Sequence, residues 1–215
     1  MEGSRSKPIL DPIILFNRHA NRYADLYMDV SAYEASLHFL LQLLHPNQIH
    51  VLDLGCGPAN LSGYLYRANP KFHIVGIDAA PSMVDLAKMQ LPNGSFWVGD
   101  IRSLPPFTTS FDLVLLGFIA PYLSPSELRA LLVELAGILK DGSLIYLSTM
   151  EAKQEKSAVV SNSMGEQTIQ YFYSEQELLN LFRELSFETR HTLRIPIVHP
   201  EGKSDNDLVL ILQKG

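Results

Sequence analysis

Residues 51–60 read VLDLGCGPAN, and the fold turns on how this stretch is understood. An apolar run ends in Asp53, Gly55 and Gly57 follow, and the chain then becomes helical in character. A glycine turn between a strand and a helix usually cradles a phosphate on the helix N-terminus. A carboxylate two residues ahead of the first glycine would repel that phosphate. The sixth place of a G-x-G-x-x-G pattern is Asn60 rather than glycine.

Outward from this stretch, short apolar runs alternate with helical segments. Strands are expected at His50–Leu54, His73–Ile77, Ser95–Val98, Leu113–Gly117 and Leu144–Ser148. Helices are expected at about 59–69, 81–90 and 125–139. The last opens on Ser124, Pro125 and Glu127, a capping box with proline at the first helical position. Strands apolar on both faces and alternating with helices mean a parallel sheet covered on both sides. Ser174 and Glu177 open a further helix, about 175–185, and strands near Glu188–Ile195 and Asp207–Gln213 follow. The loop IVHPEGKSDN between them is too short for a crossover helix, so these two are antiparallel neighbours. Ahead of the sheet, residues 16–44 read mostly as helix, with a second helix over about 31–45 capped by Ser31 and Glu34. The polar stretch 151–170 carries no clear period.

The chain has 215 residues, 47% hydrophobic and 19% charged, with a formal net charge of −6. This suits one globular domain and gives no basic face for a phosphate backbone. No apolar run approaches the ~18 residues of a membrane span, and the N-terminal patch MEGSRSKPILDPIILF lacks a signal-like h-region and cleavage site. Cys56 is the only cysteine, which excludes an internal disulfide and fits a reducing cytoplasm. His38, His45, His50 and His73 have no partners at metal-ligand spacing and read as structural or exposed.

Ligands of open parallel sheets lie beyond the carboxyl ends of the strands. A ligand bearing positive charge and no phosphate resolves the conflict at Asp53, and S-adenosylmethionine is one, with its sulfonium and its ammonium. Strand two, HIVGID, ends in Asp78, where an acid accepts ribose hydroxyls. The third strand runs into FWVGDIRSLP, placing Asp100 to accept from an adenine amine and Ile101, with Met83, to sandwich the ring. Asp78 also has a plainer reading as a solvated strand end or helix cap, and Asp100 as a cap of the turn into IRSLP.

In order and spacing, VLDLGCGPANLSGYL, VGIDAAPSMVDLAK, VGDIRSLP, FDLVLLGF, ILKDGSLIYLS, YSEQELLNLF and DLVLILQK resemble the class I S-adenosylmethionine-dependent methyltransferases over about residues 15–215. The resemblance implies an α/β, Rossmann-like, seven-stranded, mostly parallel sheet of order 3-2-1-4-5-7-6 with strand 7 antiparallel. Helices cover both faces and an N-terminal helical lid closes the site. It implies one domain, with residues 1–45 as cap, 46–150 as the cofactor-binding half and 151–215 on the substrate side. By position, Asp53, Gly55, Cys56 and Gly57 form the methionine-side loop, with Tyr23 able to bond the methionine carboxylate or simply to pack its helix. Asp78 with Ala79 takes the ribose, Met83, Asp100 and Ile101 the adenine, and Leu116, Gly117 and Phe118 lie under the sulfonium. Three positions depart from the pattern: Ala59 stands where glycine is common, Ala80 where a small polar cap is common, and Tyr122 where histidine is common.

The implied reaction is in-line methyl transfer to an O, N or C nucleophile, giving S-adenosylhomocysteine. Tyr122, His19 and His199 are the candidates for acid–base work, and no metal is implied. The expected acceptor is a small molecule, met by the N-terminal helices, the loop after strand four and segment 151–172. GFIAPYL after strand four has no amide or acid to hold a base amino group, so a nucleic-acid acceptor is disfavoured, and a protein acceptor is less expected than a small molecule. A membrane role is not expected, and the oligomeric state is monomer or homodimer. The rival readings are an NAD(P)-dependent oxidoreductase and a catalytically silent cofactor-binding module.

Overall fold

The computed structural model describes residues 8–151, 156–162, 164–198 and 204–215. Strands β1 (His50–Leu54), β2 (His73–Asp78), β3 (Ser95–Val98), β4 (Leu113–Gly117) and β5 (Leu144–Met150) pair in parallel. A separate hairpin, β6 (Ser157–Ser161) and β7 (Gln167–Tyr171), follows. Then β8 (Phe187–Val198) and β9 (Ser204–Lys214) close the main sheet in the order β3-β2-β1-β4-β5-β9-β8, with β9 antiparallel to both neighbours. Counting only main-sheet strands, this is the implied order 3-2-1-4-5-7-6. The β6–β7 hairpin is the element that the polar stretch 151–170 concealed.

The strands read as unbroken apolar runs because successive residues face different helical layers. Leu113 and Leu115 face one layer, with α3 (Glu34–Leu43), α4 (Asn60–Ala68) and α5 (Pro81–Gln90). Val114 and Leu116 face the other, with α6 (Pro125–Ile138) and α7 (Glu175–Glu184). β9 repeats the pattern, Val209 and Ile211 against Leu208, Leu210 and Leu212. Both expected capping boxes form, at Ser124 with Glu127 and at Ser174 with Glu177.

The N-terminal region differs from its expected form. It breaks into α1 (Pro12–Arg18), α2 (Ala20–Tyr27) and a 3-10 turn (Ser31–Tyr33) before α3. The Ser31–Glu34 capping box is absent. Asp29 accepts from the Ser31 N–H at 2.9 Å, which starts the tight turn instead, and Tyr33 caps α3 without a side-chain bond. α1 and α2 pack on α5, where Ala20 and Met83 are buried together with Phe16 and Tyr23 beside them. α5 lacks a side-chain cap of its own at Ala80, and Asn17 of α1 accepts from its Ser82 N–H at 2.9 Å. The N-terminal helices are therefore joined to the start of a sheet-covering helix.

Candidate functional site

A cavity of about 1240 Å³ opens beyond the carboxyl ends of β1, β2 and β4. α1, α2 and the hairpin form its far walls. β1 ends at Leu54, and Gly55 and Gly57 then adopt φ of +64° and +51°, the left-handed region that glycine enters freely. Gly55 meets a second demand, because an added Cβ would lie 2.3 Å from Ile119 Cγ2. Ala59 (φ 63°) and Phe118 (φ 56°) are non-glycine residues in the same region, one starting α4 and one lining the cavity. Backbone strain of this kind is held where surrounding structure enforces it, commonly at sites. Ala59 thus occupies a conformation that glycine would adopt without penalty.

Asp53 is 2% exposed, and its Oδ2 has no hydrogen-bond partner among the described residues. Burial pushes its carboxyl up to about 7, with Ser62 pulling the other way and Asp78 adding repulsion. An orphaned buried carboxylate oxygen in a cavity wall is the donor-seeking group a cationic ligand would satisfy. Asp78 accepts from the Gly57 N–H at 2.9 Å and the Ala80 N–H at 2.8 Å. It ties the glycine loop to the end of β2 and retains lone pairs for a ligand. Burial raises its pKa, and the two amides oppose the rise. Asp100 is gripped by the Arg102 guanidinium through both oxygens, which holds its carboxyl low. Arg102 also lies 3.5 Å from Glu127 of α6. The Cys56 thiol is buried and pushed well up, so it stays protonated, and its side chain packs against the Gly76–Phe96 contact.

Of the residues expected from sequence, Tyr23, Asp53, Gly55, Cys56, Gly57, Asp78, Ala79, Met83, Asp100, Ile101, Gly117 and Phe118 line this one cavity. Leu116 does not. It points into the α6–α7 core and is fully buried there. His19 and Tyr122 line the cavity, and His199 lies outside the described residues. His19 Nε2 is paired with Glu166, which also binds Arg18. Tyr122 accepts from Gln170 Nε2 at 3.3 Å, and burial pushes its phenol up to about 12. Sequence reasoning did not single out Arg102, whose signal was its place two after Asp100, nor, within the segment 151–172 that it set on the substrate side, the hairpin residues Glu166, Thr168 and Gln170.

Residues 51–142 match the family model described as a methyltransferase domain. This stretch of the chain carries a methyltransferase domain. The chain is 30% identical over 131 residues to the demethylmenaquinone methyltransferase of Thermotoga maritima, covering 60% of this chain and 55% of that protein. It is 36% identical over 91 residues to a trans-aconitate 2-methyltransferase of Shigella flexneri, covering 41% of this chain and 36% of the relative. The chain thus spans about half or less of the length of these curated relatives. A crystal structure of a methyltransferase from Methanosarcina mazei superposes with a TM-score of 0.71 at 22% identity, covering 82% of this chain and 96% of that one. That likeness establishes the fold of the methyltransferase domain. Among the described residues no helix is long and apolar enough to cross a membrane, and no side-chain cluster is arranged to hold a metal.

Proposed function

We propose that the protein transfers a methyl group from S-adenosylmethionine to a small-molecule acceptor by in-line displacement, leaving S-adenosylhomocysteine. The observation that carries this reading is Asp53: a buried carboxylate with one unpartnered oxygen beneath two left-handed glycines, at a cavity wall it shares with Asp78. A pyrophosphate placed there would face both carboxylates, whereas an ammonium or sulfonium would be stabilised by them. This argues against a dinucleotide at the same loop.

In this reading Asp53 and the Gly55–Gly57 backbone face the methionine moiety, closed over by Tyr23. Asp78 and Ala79 hold the ribose. Asp100, Ile101 and Met83 surround the adenine, and Gly117 and Phe118 border the reacting methyl. When bound, the cofactor supplies an electrophilic methyl on a neutral-leaving sulfonium. The chain then has to align the acceptor at about 3 Å and exclude water. Tyr122, with its phenol pushed up to about 12, does not serve as a base at neutral pH and acts as a hydrogen-bond donor. The reading extends to residues 1–215 as a single unit, monomeric or homodimeric. Its single, buried cysteine suits the cytoplasm.

Calorimetry with S-adenosylmethionine and S-adenosylhomocysteine tests the proposal, with Asp78→Ala as the control. Saturable heat with both ligands, lost in a folded Asp78→Ala variant, is the expected result. NADH binding without heat from either adenosyl ligand would replace it with the oxidoreductase reading. Cofactor binding without S-adenosylhomocysteine release from any acceptor pool would leave only a binding module.

A further inference from the structure

The cavity is larger than the roughly 300–1,000 Å³ that one drug-sized ligand fills, so it has space beside the strand ends for a second molecule. That space is bounded by the hairpin. Strand alternation turns Val160 of β6 and Thr168 and Gln170 of β7 inward while Ile169 faces out, 41% exposed. Opposite them stand rings from the N-terminal helices and the turn after β4. Phe16 meets Tyr122 edge-on at 5.0 Å and Tyr23 at 5.6 Å, and Tyr23 meets Tyr27 at 4.7 Å.

Among the polar groups on this side of the cavity, two are open to a ligand. Thr168 is 4% exposed, and its hydroxyl has no hydrogen-bond partner among the described residues. Two residues along the same face, Gln170 donates to Tyr122 Oη, which leaves the phenolic O–H available to a ligand. A buried hydroxyl left unpartnered costs about 1–3 kcal/mol, so a ligand group that engages it is favoured by that relief. Charge narrows the ligand further. Among the described residues nine carboxylates and two arginines line the whole cavity. Arg102 is held by Asp100 and Glu127, and His19 is paired with Glu166. A polyanion entering this space meets net repulsion.

We propose that the acceptor is a non-anionic, planar aromatic molecule bearing a hydroxyl, seated against the inward face of the β6–β7 hairpin and anchored through the Thr168 hydroxyl and the Tyr122 phenol. This rests on the methyltransferase reading, since it assigns the acceptor half of the same cavity. Thr168 is then a specificity residue, because its hydroxyl distinguishes a ligand with a polar group from a bare ring of equal size.

The test uses 2-naphthol, 2-naphthoate and trans-aconitate as probes, titrated into the full chain with and without S-adenosylhomocysteine. Saturable 2-naphthol binding is expected, with both anions at least about tenfold weaker. Thr168→Val, which keeps shape and removes the hydroxyl, should weaken 2-naphthol about tenfold without altering S-adenosylhomocysteine affinity, and Thr168→Ser should restore it. Absent 2-naphthol binding, equal binding by Thr168→Val, or tighter binding of either anion would overturn the assignment. Absence of S-adenosylhomocysteine binding is a separate result. It removes the methyltransferase reading, while the titration without that ligand still decides whether the hairpin seat exists.

Discussion

Asp53 has an oxygen with no protein partner and a carboxyl raised to about 7 by burial, so its ionisation is what both pH and ligand should move. In the unfolded chain its pKa is the ordinary 3.8. Between that value and about 7 the folded state holds a proton that the unfolded state has lost. Stability therefore falls as pH rises through this window and levels off above it. Asp53→Asn removes the slope: against the parent, the variant should gain stability with rising pH, up to about 4 kcal/mol above pH 7, read from denaturant melts at pH 5 and pH 8. The same variant should lose affinity for S-adenosylmethionine. In the parent, that affinity should rise with pH up to about 7, and binding at pH 6 should release a proton, visible as a buffer-dependent heat. A flat pH profile would mean that Asp53 does not face the positive charge. Gly55→Ala combines a left-handed φ with a 2.3 Å clash on Ile119, and a loss of at least about 2 kcal/mol is expected from it. The place of Asp53, Gly55, Gly57 and Asp78 at the cavity was legible in sequence because each sits at or just after a strand end fixed by local alternation. Leu116 was misplaced by one step of that alternation: its neighbour Gly117 reaches the cavity, while Leu116 turns to the opposite layer.

At the scale of elements, the sheet strands and the helices α4 to α7 were readable because apolar period and caps agree with their tertiary roles. The hairpin was not. A two-stranded sheet is marginal alone, and with Val159 and Ile169 on its exposed face and Thr168 and Gln170 on its inward face it shows no apolar-in, polar-out alternation. What orders it is distant in sequence: Leu10 donates to the Gln167 carbonyl at 2.7 Å, and Glu166 binds Arg18 and His19. The break between α1 and α2 escaped notice for a related reason, since both helices are short and rest on α5 rather than on their own propensity. Glu166→Ala should therefore loosen both walls together. Amide exchange within 157–171 and 12–18 should speed up while β1, β4 and β5 keep their protection. Exchange confined to the hairpin would show that the two walls are not coupled. Asn17→Ala removes the cap that α1 lends to α5, and about 1 kcal/mol should be lost in thermal or chemical melts.

At the scale of the molecule, two residues that each bury an oxygen without a hydrogen-bond partner among the described residues meet at one cavity. Asp53 and Thr168 both line the cavity, and Phe118, with its positive φ, lines it too. A ligand that satisfies these groups binds the folded state alone, so stability and occupancy are linked. At a hundredfold excess over its dissociation constant, S-adenosylmethionine should add about 2.7 kcal/mol. For a chain of this size that raises the melting temperature by roughly 5–10 °C. The shift should be larger at pH 8 than at pH 5.5. At the higher pH the empty protein carries an ionised, uncompensated Asp53, and the bound cation removes that penalty. At the lower pH the carboxyl is protonated, and the cation finds less to bind. Asp78→Ala should abolish the shift at both values by freeing the glycine loop from β2. An equal shift at both pH values, retained in that variant, would place the cofactor away from the ends of β1 and β2 and break the link between the orphaned carboxylate and binding.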